Sequence, residues 1–359
     1  MALVGPVYPF RGGIAHYTTM LCKALQEEGH TVLMVSFKRQ YPKFLFPGRC
    51  DKDPSQDPLI VEGANFWIDS LNPFTWLRTF WRIHRFRPEV MVFQWWTTFW
   101  TPVWFVLGTL HRMAGGCPLV FICHNVLPHE SRCWDPWLAR LAFKAANRFI
   151  VQSLAEQERL KGLIPKARVE VLPHPVYSQF SDQRIPKEEA RVRLGLPLTG
   201  QVWLLFGLVR RYKGYLEFID HFHEIRERCG RVTLLIAGEF WESKERLLRR
   251  VKELGLEAQV RIEDRYIPDE EVGIFFSAAD AVLVPYTRIT GSGVMQLAKG
   301  FGVPVITAQA LEDRKTFPWG SAGTDKKDRG RSGRESPPGE VPLTTWKDLA
   351  GMLCRKELG

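Results

Sequence analysis

None of the seven cysteines, Cys22, Cys50, Cys117, Cys123, Cys133, Cys229 and Cys354, stands in a C-x-x-C pair, and their number is odd. A structural zinc site and a disulfide framework are therefore not expected. Reduced thiols in a cytosolic compartment are. The opening Met-Ala-Leu-Val-Gly-Pro lacks a basic segment and a long apolar run, so no signal peptide is expected. The first glycine turn lacks the G-x-G-x-x-G spacing, which argues against a dinucleotide. Charge is missing from Val90 to Leu110, long enough to span a bilayer. Gln94, Thr97, Thr98 and Pro102 interrupt that run. It reads as a buried strand, Val90–Trp95, followed by an apolar helix from about Pro102; a spanning helix is the alternative.

Basic residues are in surplus, 49 against 39 acidic, for a formal net charge of +10. Such a balance suits an anionic partner: a phosphorylated ligand, an anionic membrane surface or nucleic acid. No coherent Lys/Arg stripe is visible, so nucleic acid is not expected. Aromatic residues crowd the stretch from Phe66 to Phe105. Most belong in a core, but any exposed near Arg82, Arg85 and Arg87 suit a membrane interface.

The 359 residues suit two domains. Apolar strands at Ala2–Gly5, Thr31–Phe37, Val90–Trp95, Leu119–His124 and Arg148–Val151 alternate with helical stretches, such as Ile14–Gly29. The second half repeats this grammar, with strands at Val202–Phe206, Val232–Ala237, Val260–Ile262, Ala281–Pro285 and Val303–Thr307. Strands separated by helices imply parallel sheets with helices on both faces, an α/β class. Pro173–Pro197 reads as the crossover. Asp325–Gly339 reads as a surface loop or disordered segment, and Trp346–Leu358 as a last short helix.

Four segments can carry chemistry. Phe206 to Gly214 follows a buried strand and precedes a helix, where ligands of parallel sheets bind. Gly207 and Gly214 allow close backbone approach, while Arg210 and Lys213 can neutralise a diphosphate. A solvated basic turn is the alternative. Thr290, Gly291, Ser292 and Gly293 precede a helix from Val294, an anion site by geometry and dipole or simply a capped helix. Pro9 to His16 places Arg11, Gly12, Gly13 and His16 after the first strand. His124 ends another strand, as a general base, a hydrogen-bond donor or a turn residue, with His129 and Glu130 beyond. Two histidines five apart do not define a metal site.

In this order the segments resemble retaining glycosyltransferases of the GT-B fold, in family 4 (glycosyl transferases group 1). The resemblance covers roughly residues 2–308 and rests on Arg11-Gly-Gly-Ile-Ala-His-Tyr17, His124-Asn-Val-Leu-Pro-His-Glu130, Phe206 to Gly214, Ala279-Asp-Ala-Val-Leu-Val-Pro285 and Gly302-Val-Pro-Val-Ile306. It implies two Rossmann-like, doubly wound domains facing a cleft. Residues 1–176 would bind the acceptor, 177–325 the nucleotide-diphosphate sugar, and 326–359 form an irregular tail with a short helix. It implies hexose transfer, with retention, to a glycan or lipid-linked acceptor of cell-surface polysaccharide or glycolipid synthesis. No metal or cofactor is implied. The place would be cytoplasmic, peripheral at the inner face of an anionic membrane.

By that likeness Arg210 and Lys213 hold the donor diphosphate and assist its departure, and His124 lies near the sugar. Gly12, Gly13, Gly207, Tyr266, Thr290, Gly291, Ser292, Gly293 and Val294 fall to the donor; Arg11, His16 and His129 fall to the acceptor. Where many relatives carry two glutamates eight positions apart, this chain has Ile289 and Leu297. Leu208 replaces a basic residue, for which Arg210 would substitute. These departures frame the alternative, a catalytically impaired nucleotide-binding or scaffold protein.

Overall fold

The computed structural model describes residues 1–46, 48–286, 292–308 and 344–354. The segment 325–339, read above as a loop, lies outside them, as do Ile289, Thr290 and Gly291.

The chain divides into two compact units. The first holds Met1–Val176, the short segment 289–293 and the residues from Thr344 on. Its strands are Ala2–Val4 (β1), Leu33–Arg39 (β2), Asn65–Asp69 (β3), Met91–Trp95 (β4), Leu119–Cys123 (β5), Arg148–Val151 (β6) and Val169–Val171 (β7). They form one parallel sheet in the order β3-β2-β1-β4-β5-β6-β7. Helices Gly13–Glu27 (α1), Pro73–Phe86 (α2), Thr101–Met113 (α3), Asp135–Phe143 (α4) and Leu154–Leu163 (α5) alternate with the strands. Every residue of β4 and β5 is buried, as expected of strands covered on both faces.

The uncharged run from Val90 splits into β4 and α3, as its threonines and proline suggest. Helix α3 has 13 residues, or about 20 Å, too short for a hydrocarbon core of about 30 Å. No helix among the described residues is long and apolar enough to cross a membrane. Most aromatics here are core: the Phe93 and Trp104 rings stack with centroids 4.7 Å apart. Phe74 and Trp81 on α2 are instead 81% and 61% exposed.

The second unit holds Tyr177–Arg288 and continues from Val294. Its strands are Gln201–Phe206 (β8), Val232–Ala237 (β9), Val260–Glu263 (β10), Ala281–Val284 (β11) and Val305–Thr307 (β12), parallel in the order β10-β9-β8-β11-β12. Among its helices are Lys187–Arg193 (α6), Tyr215–Cys229 (α7), Lys244–Glu253 (α8), Val272–Ala278 (α9) and Gly293–Gly300 (α10). Strand order reverses direction at β1/β4 in the first sheet and at β8/β11 in the second. Such switch points, at the carboxyl ends of strands, are where open parallel sheets bind ligands.

The last described helix, Trp346–Leu353 (α11), returns to the first unit. Thr345 and Asp348 form a capping box at its start. The Trp346 indole donates to the Val176 carbonyl at 3.1 Å, and its ring meets that of Tyr17 edge-on at 5.0 Å. The Val176 N–H donates to the Thr344 carbonyl at 3.3 Å.

Candidate functional site

At the β8/β11 switch point, β8 ends at Phe206 and the backbone turns at Gly207. This turn is zipped to the one after β9. The N–H of Val209 donates to the Glu239 carbonyl at 2.9 Å, and that of Trp241 donates back to Val209 at 3.0 Å. Two glycines are obligatory. A Cβ on Gly238 would lie 2.1 Å from the Gly207 carbonyl oxygen, and one on Gly214, at φ 68°, would lie 2.4 Å from that of Pro285. The backbone segments are too close together for any side chain at those two points.

Lys213 lies in the single turn Arg211–Lys213, just before α7. It is only 7% exposed. Its ammonium is 3.3 Å from where a Cβ on Gly207 would stand and 5.5 Å from the Tyr286 ring centroid. Among the described residues it has no hydrogen-bond or ion-pair partner. Burial, then the neighbouring Arg210 charge, push its pKa down to about 7. Arg210 is flanked by aromatic faces, its guanidinium 5.5 Å from the Tyr212 centroid and 5.6 Å from that of Trp241. Two cations are thus held side by side, one of them buried. An anion relieves both the mutual repulsion and the unpaired burial.

Helix α10 flanks this edge. The Val294 side chain lies 3.7 Å from the same Gly207 Cβ position, so the first turn of α10 stands beside the loop. Ser292 is buried just ahead of Gly293, the first residue of that helix. Thr290 and Gly291 lie outside the described residues. Tyr266, half-buried, follows β10, two strands from β8. Its neighbour Arg265 is tied to Glu271 at 3.1 Å and Glu263 at 3.2 Å, which stiffens that turn.

The first unit gathers a separate set at the ends of β1, β4 and β5. Gly12, at φ 106°, leads into α1, whose first turn holds Gly13 and His16. Arg11 has its guanidinium 5.4 Å from the Phe46 ring centroid. The loop is braced by a segment that sequence reasoning did not single out. Arg11 N–H donates to the Asp51 carbonyl at 3.2 Å, Asp53 N–H donates to that of Pro9 at 2.9 Å, and the Asp53 carboxylate stands 4.0 Å from His16 Nε2. The local Asp53-Pro-Ser55 sequence was its signal, since Asp53 accepts from the Ser55 N–H at 2.9 Å in an Asx turn.

His124 is buried just past β5. In the assignment the network favours, its Nε2–H donates to Gln94 Oε1 at 2.7 Å and its Nδ1 accepts from Gln152 Nε2 at 3.2 Å. Tyr17 meets the ring edge-on at 4.6 Å. Burial, and secondarily His174, lower its pKa to about 3. With its pKa so lowered the imidazole is neutral near pH 7, and both nitrogens are hydrogen-bonded. His129 is half-buried in the turn beyond.

The description "Glycosyl transferase 4-like domain" fits residues 12–175, and "Glycosyl transferases group 1" fits residues 186–312. The chain belongs to glycosyltransferase family 4. Its fold is GT-B, shared with HepE from Anabaena in complex with UDP and glucose (TM-score 0.62, 18% identity, 98% of this chain and 88% of that one). It is shared too with sucrose-phosphate synthase from Thermosynechococcus elongatus (TM-score 0.60, 19% identity, 85% and 80%). At these identities the likeness is one of fold.

Two curated members of similar sequence are a D-inositol 3-phosphate glycosyltransferase 1 from Catenulispora acidiphila and a GDP-mannose:glycolipid 4-beta-D-mannosyltransferase from Xanthomonas campestris. The first is 29% identical over 224 residues, 56% of this chain and 53% of that protein. The second is 26% identical over 191 residues, 53% and 50% respectively. The chain thus spans about half the length of the curated relatives it matches.

Proposed function

We propose that this family 4 chain transfers a hexose, with retention, from a nucleoside-diphosphate sugar to a glycan or lipid-linked acceptor. The observation that carries the reading is Lys213, a buried cation with no carboxylate or hydrogen-bond acceptor among the described residues, beside Arg210 at the carboxyl edge of the second sheet. Charge builds on the leaving diphosphate as the glycosidic bond breaks. Fixed cations and helix N–H groups aimed there lower the barrier without reorganising. They also supply the positive charge a metal would bring, so the transfer is metal-independent. Residues 177–325 hold the donor and 1–176 the acceptor.

The printed names of relatives and structural neighbours, which mention GDP-mannose, a glycolipid and UDP, support a nucleotide-sugar donor and a lipid-linked acceptor here. An anionic membrane surface is the expected workplace. Helix α2 exposes Phe74, Leu77 and Trp81 at helical spacing, among Arg78, Arg82 and Arg85.

The test is nucleoside-diphosphate release from UDP-, GDP- and ADP-sugars with lipid-linked acceptors, with and without EDTA. Release that EDTA does not slow is expected, and NMR of the product should show the donor's anomeric configuration kept. A complete absence of both binding and turnover across all donors sinks the proposal.

A second reading is a nucleotide-binding protein without turnover. It is favoured by Gln296 and Leu297, which place no carboxylate on α10 where many relatives have one. Saturable donor binding with no transfer to any acceptor selects it.

A further inference from the structure

The first unit carries a second concave site, remote in the fold from its glycine loop. A cavity of about 890 Å³ opens at the amino ends of β5, β6 and β7, the edge of the sheet opposite Gly12 and His124. Six cations line it: Arg112, Arg140, Lys144, Arg148, Lys166 and Arg168. The one carboxylate among the lining residues is Glu170.

The obvious role for such cations is to cap helix ends, and part of their capacity goes there. Arg112 Nη1 donates to the Lys144 carbonyl at 3.1 Å, and Arg140 Nε donates to that of Leu163 at 3.1 Å. Capping does not use up the charge. Helices α3, α4 and α5 end at this edge, and the last turn of α11 reaches it through the Met352 carbonyl. Each terminus is equivalent to about half a negative charge, so four helix ends and Glu170 offset roughly 3 of six positive charges. About 3 remain, in a concave setting that concentrates the field.

Arg148 is the deepest of the six, 9% exposed. Its Nη1 donates to Glu170 Oε1 at 2.9 Å and its Nη2 to the Met352 carbonyl at 3.2 Å. Its Nε–H is sealed from solvent and has no acceptor among the described residues. A buried donor left unmade, on a buried cation, is costly unless an anionic acceptor reaches it.

We propose that this cavity binds a small anion bearing two or more phosphate groups, at a site separate from the donor diphosphate. Several phosphates suit the site because its six cations come from separate parts of the chain: α3, α4 and its C-cap, the first residue of β6, and the connection after α5. The volume suits a small-molecule ligand. Two sources share this chemistry, a free polyphosphorylated metabolite and a phosphorylated lipid headgroup. The site does not depend on the transfer reaction, so its test is binding.

Inorganic tripolyphosphate is titrated into the full chain by calorimetry at fixed ionic strength. Two classes of site are expected. Lys213→Ala removes one, and Arg140→Gln/Lys144→Gln/Arg168→Gln, all exposed positions, weakens the other at least tenfold while nucleotide binding is unchanged. Arg148→Lys, which keeps the charge and drops Nε, is expected to weaken that second site with the fold intact by circular dichroism.

Flotation with phosphatidylinositol-bisphosphate vesicles separates the sources. Vesicle binding lost in the triple variant, with no second tripolyphosphate site, assigns the headgroup. A tripolyphosphate site without vesicle binding assigns a free metabolite. A single site abolished by Lys213→Ala, with vesicle binding the triple variant retains or the parent lacks, overturns the proposal. So does tripolyphosphate binding no tighter than sulfate at equal ionic strength.

Discussion

Lys213 and His124 invite comparison. Each is a buried polar side chain in the stretch beyond a parallel strand, and burial lowers the pKa of each. His124 has an acceptor on one nitrogen and a donor on the other. Lys213 has neither an acceptor nor a carboxylate among the described residues. The first is a completed arrangement, stable as it stands. The second has its charge unmet among the described residues. Burial alone does not mark a binding residue; burial with an unmet charge does.

The sharpest way to break this contrast is Lys213→Ala. Donor nucleotide affinity should fall about 100-fold, or about 2.8 kcal/mol, with no loss of thermal stability, because a sealed cation is removed. Calorimetry and a melting curve read the two effects. Unchanged affinity would show that the diphosphate lies elsewhere.

On the other side of the comparison, Gln152→Leu strips His124 Nδ1 of its donor. It should cost about 2 kcal/mol of folding stability in a urea titration and leave nucleotide binding alone. Lost binding with full stability would instead make the histidine part of the donor site.

Acidity sharpens the contrast further. Lys213 releases its proton near pH 7 in the folded chain, while an unfolded lysine holds it to roughly 10.4. Between those values the unfolded chain binds more protons, so stability rises with pH across that window and is lowest below it. Diphosphate binding needs the charged form. Its affinity should therefore fall above about pH 7, by at most about tenfold per unit. Lys213→Met should flatten both profiles; a wild-type affinity flat from pH 6 to 9 contradicts the assigned cation.

The smallest expected effect lies outside both sites. Phe74→Ser with Trp81→Ser on α2 should weaken flotation with phosphatidylglycerol vesicles about fivefold while catalysis on a soluble acceptor is kept. Equal flotation would remove α2 from the membrane reading.

Much of the fold was legible in the chain because its central strands are nearly continuous apolar runs. The edge strands of the first sheet were not. β3 pairs with β2 through register shifts, and β7 is three half-buried residues with a glutamate in the middle. The glycine loops were legible because φ and spacing leave a mark on residue choice. What the loops touch was not. Lys213 stands in Arg-Arg-Tyr-Lys, for which the residues alone left a diphosphate site and a solvated turn both open; its burial became visible only in the fold. Gln94 and Gln152 reach His124 only through the register of β4, β5 and β6, information that no local pattern carries. The basic cavity was hidden likewise, its cations scattered over three helix–strand connections.

The return of α11 to the first unit gives the chain the topology of an insertion. Apart from 289–293, the second unit interrupts the first at Val176 and hands back at Thr344, two residues already joined by a backbone hydrogen bond. A direct peptide splice at that point spans almost no distance. The first unit, without 289–293, should therefore be separable as one continuous polypeptide that keeps Trp346 against Tyr17. A cut after Val176 without the splice would instead leave that face of α1 bare.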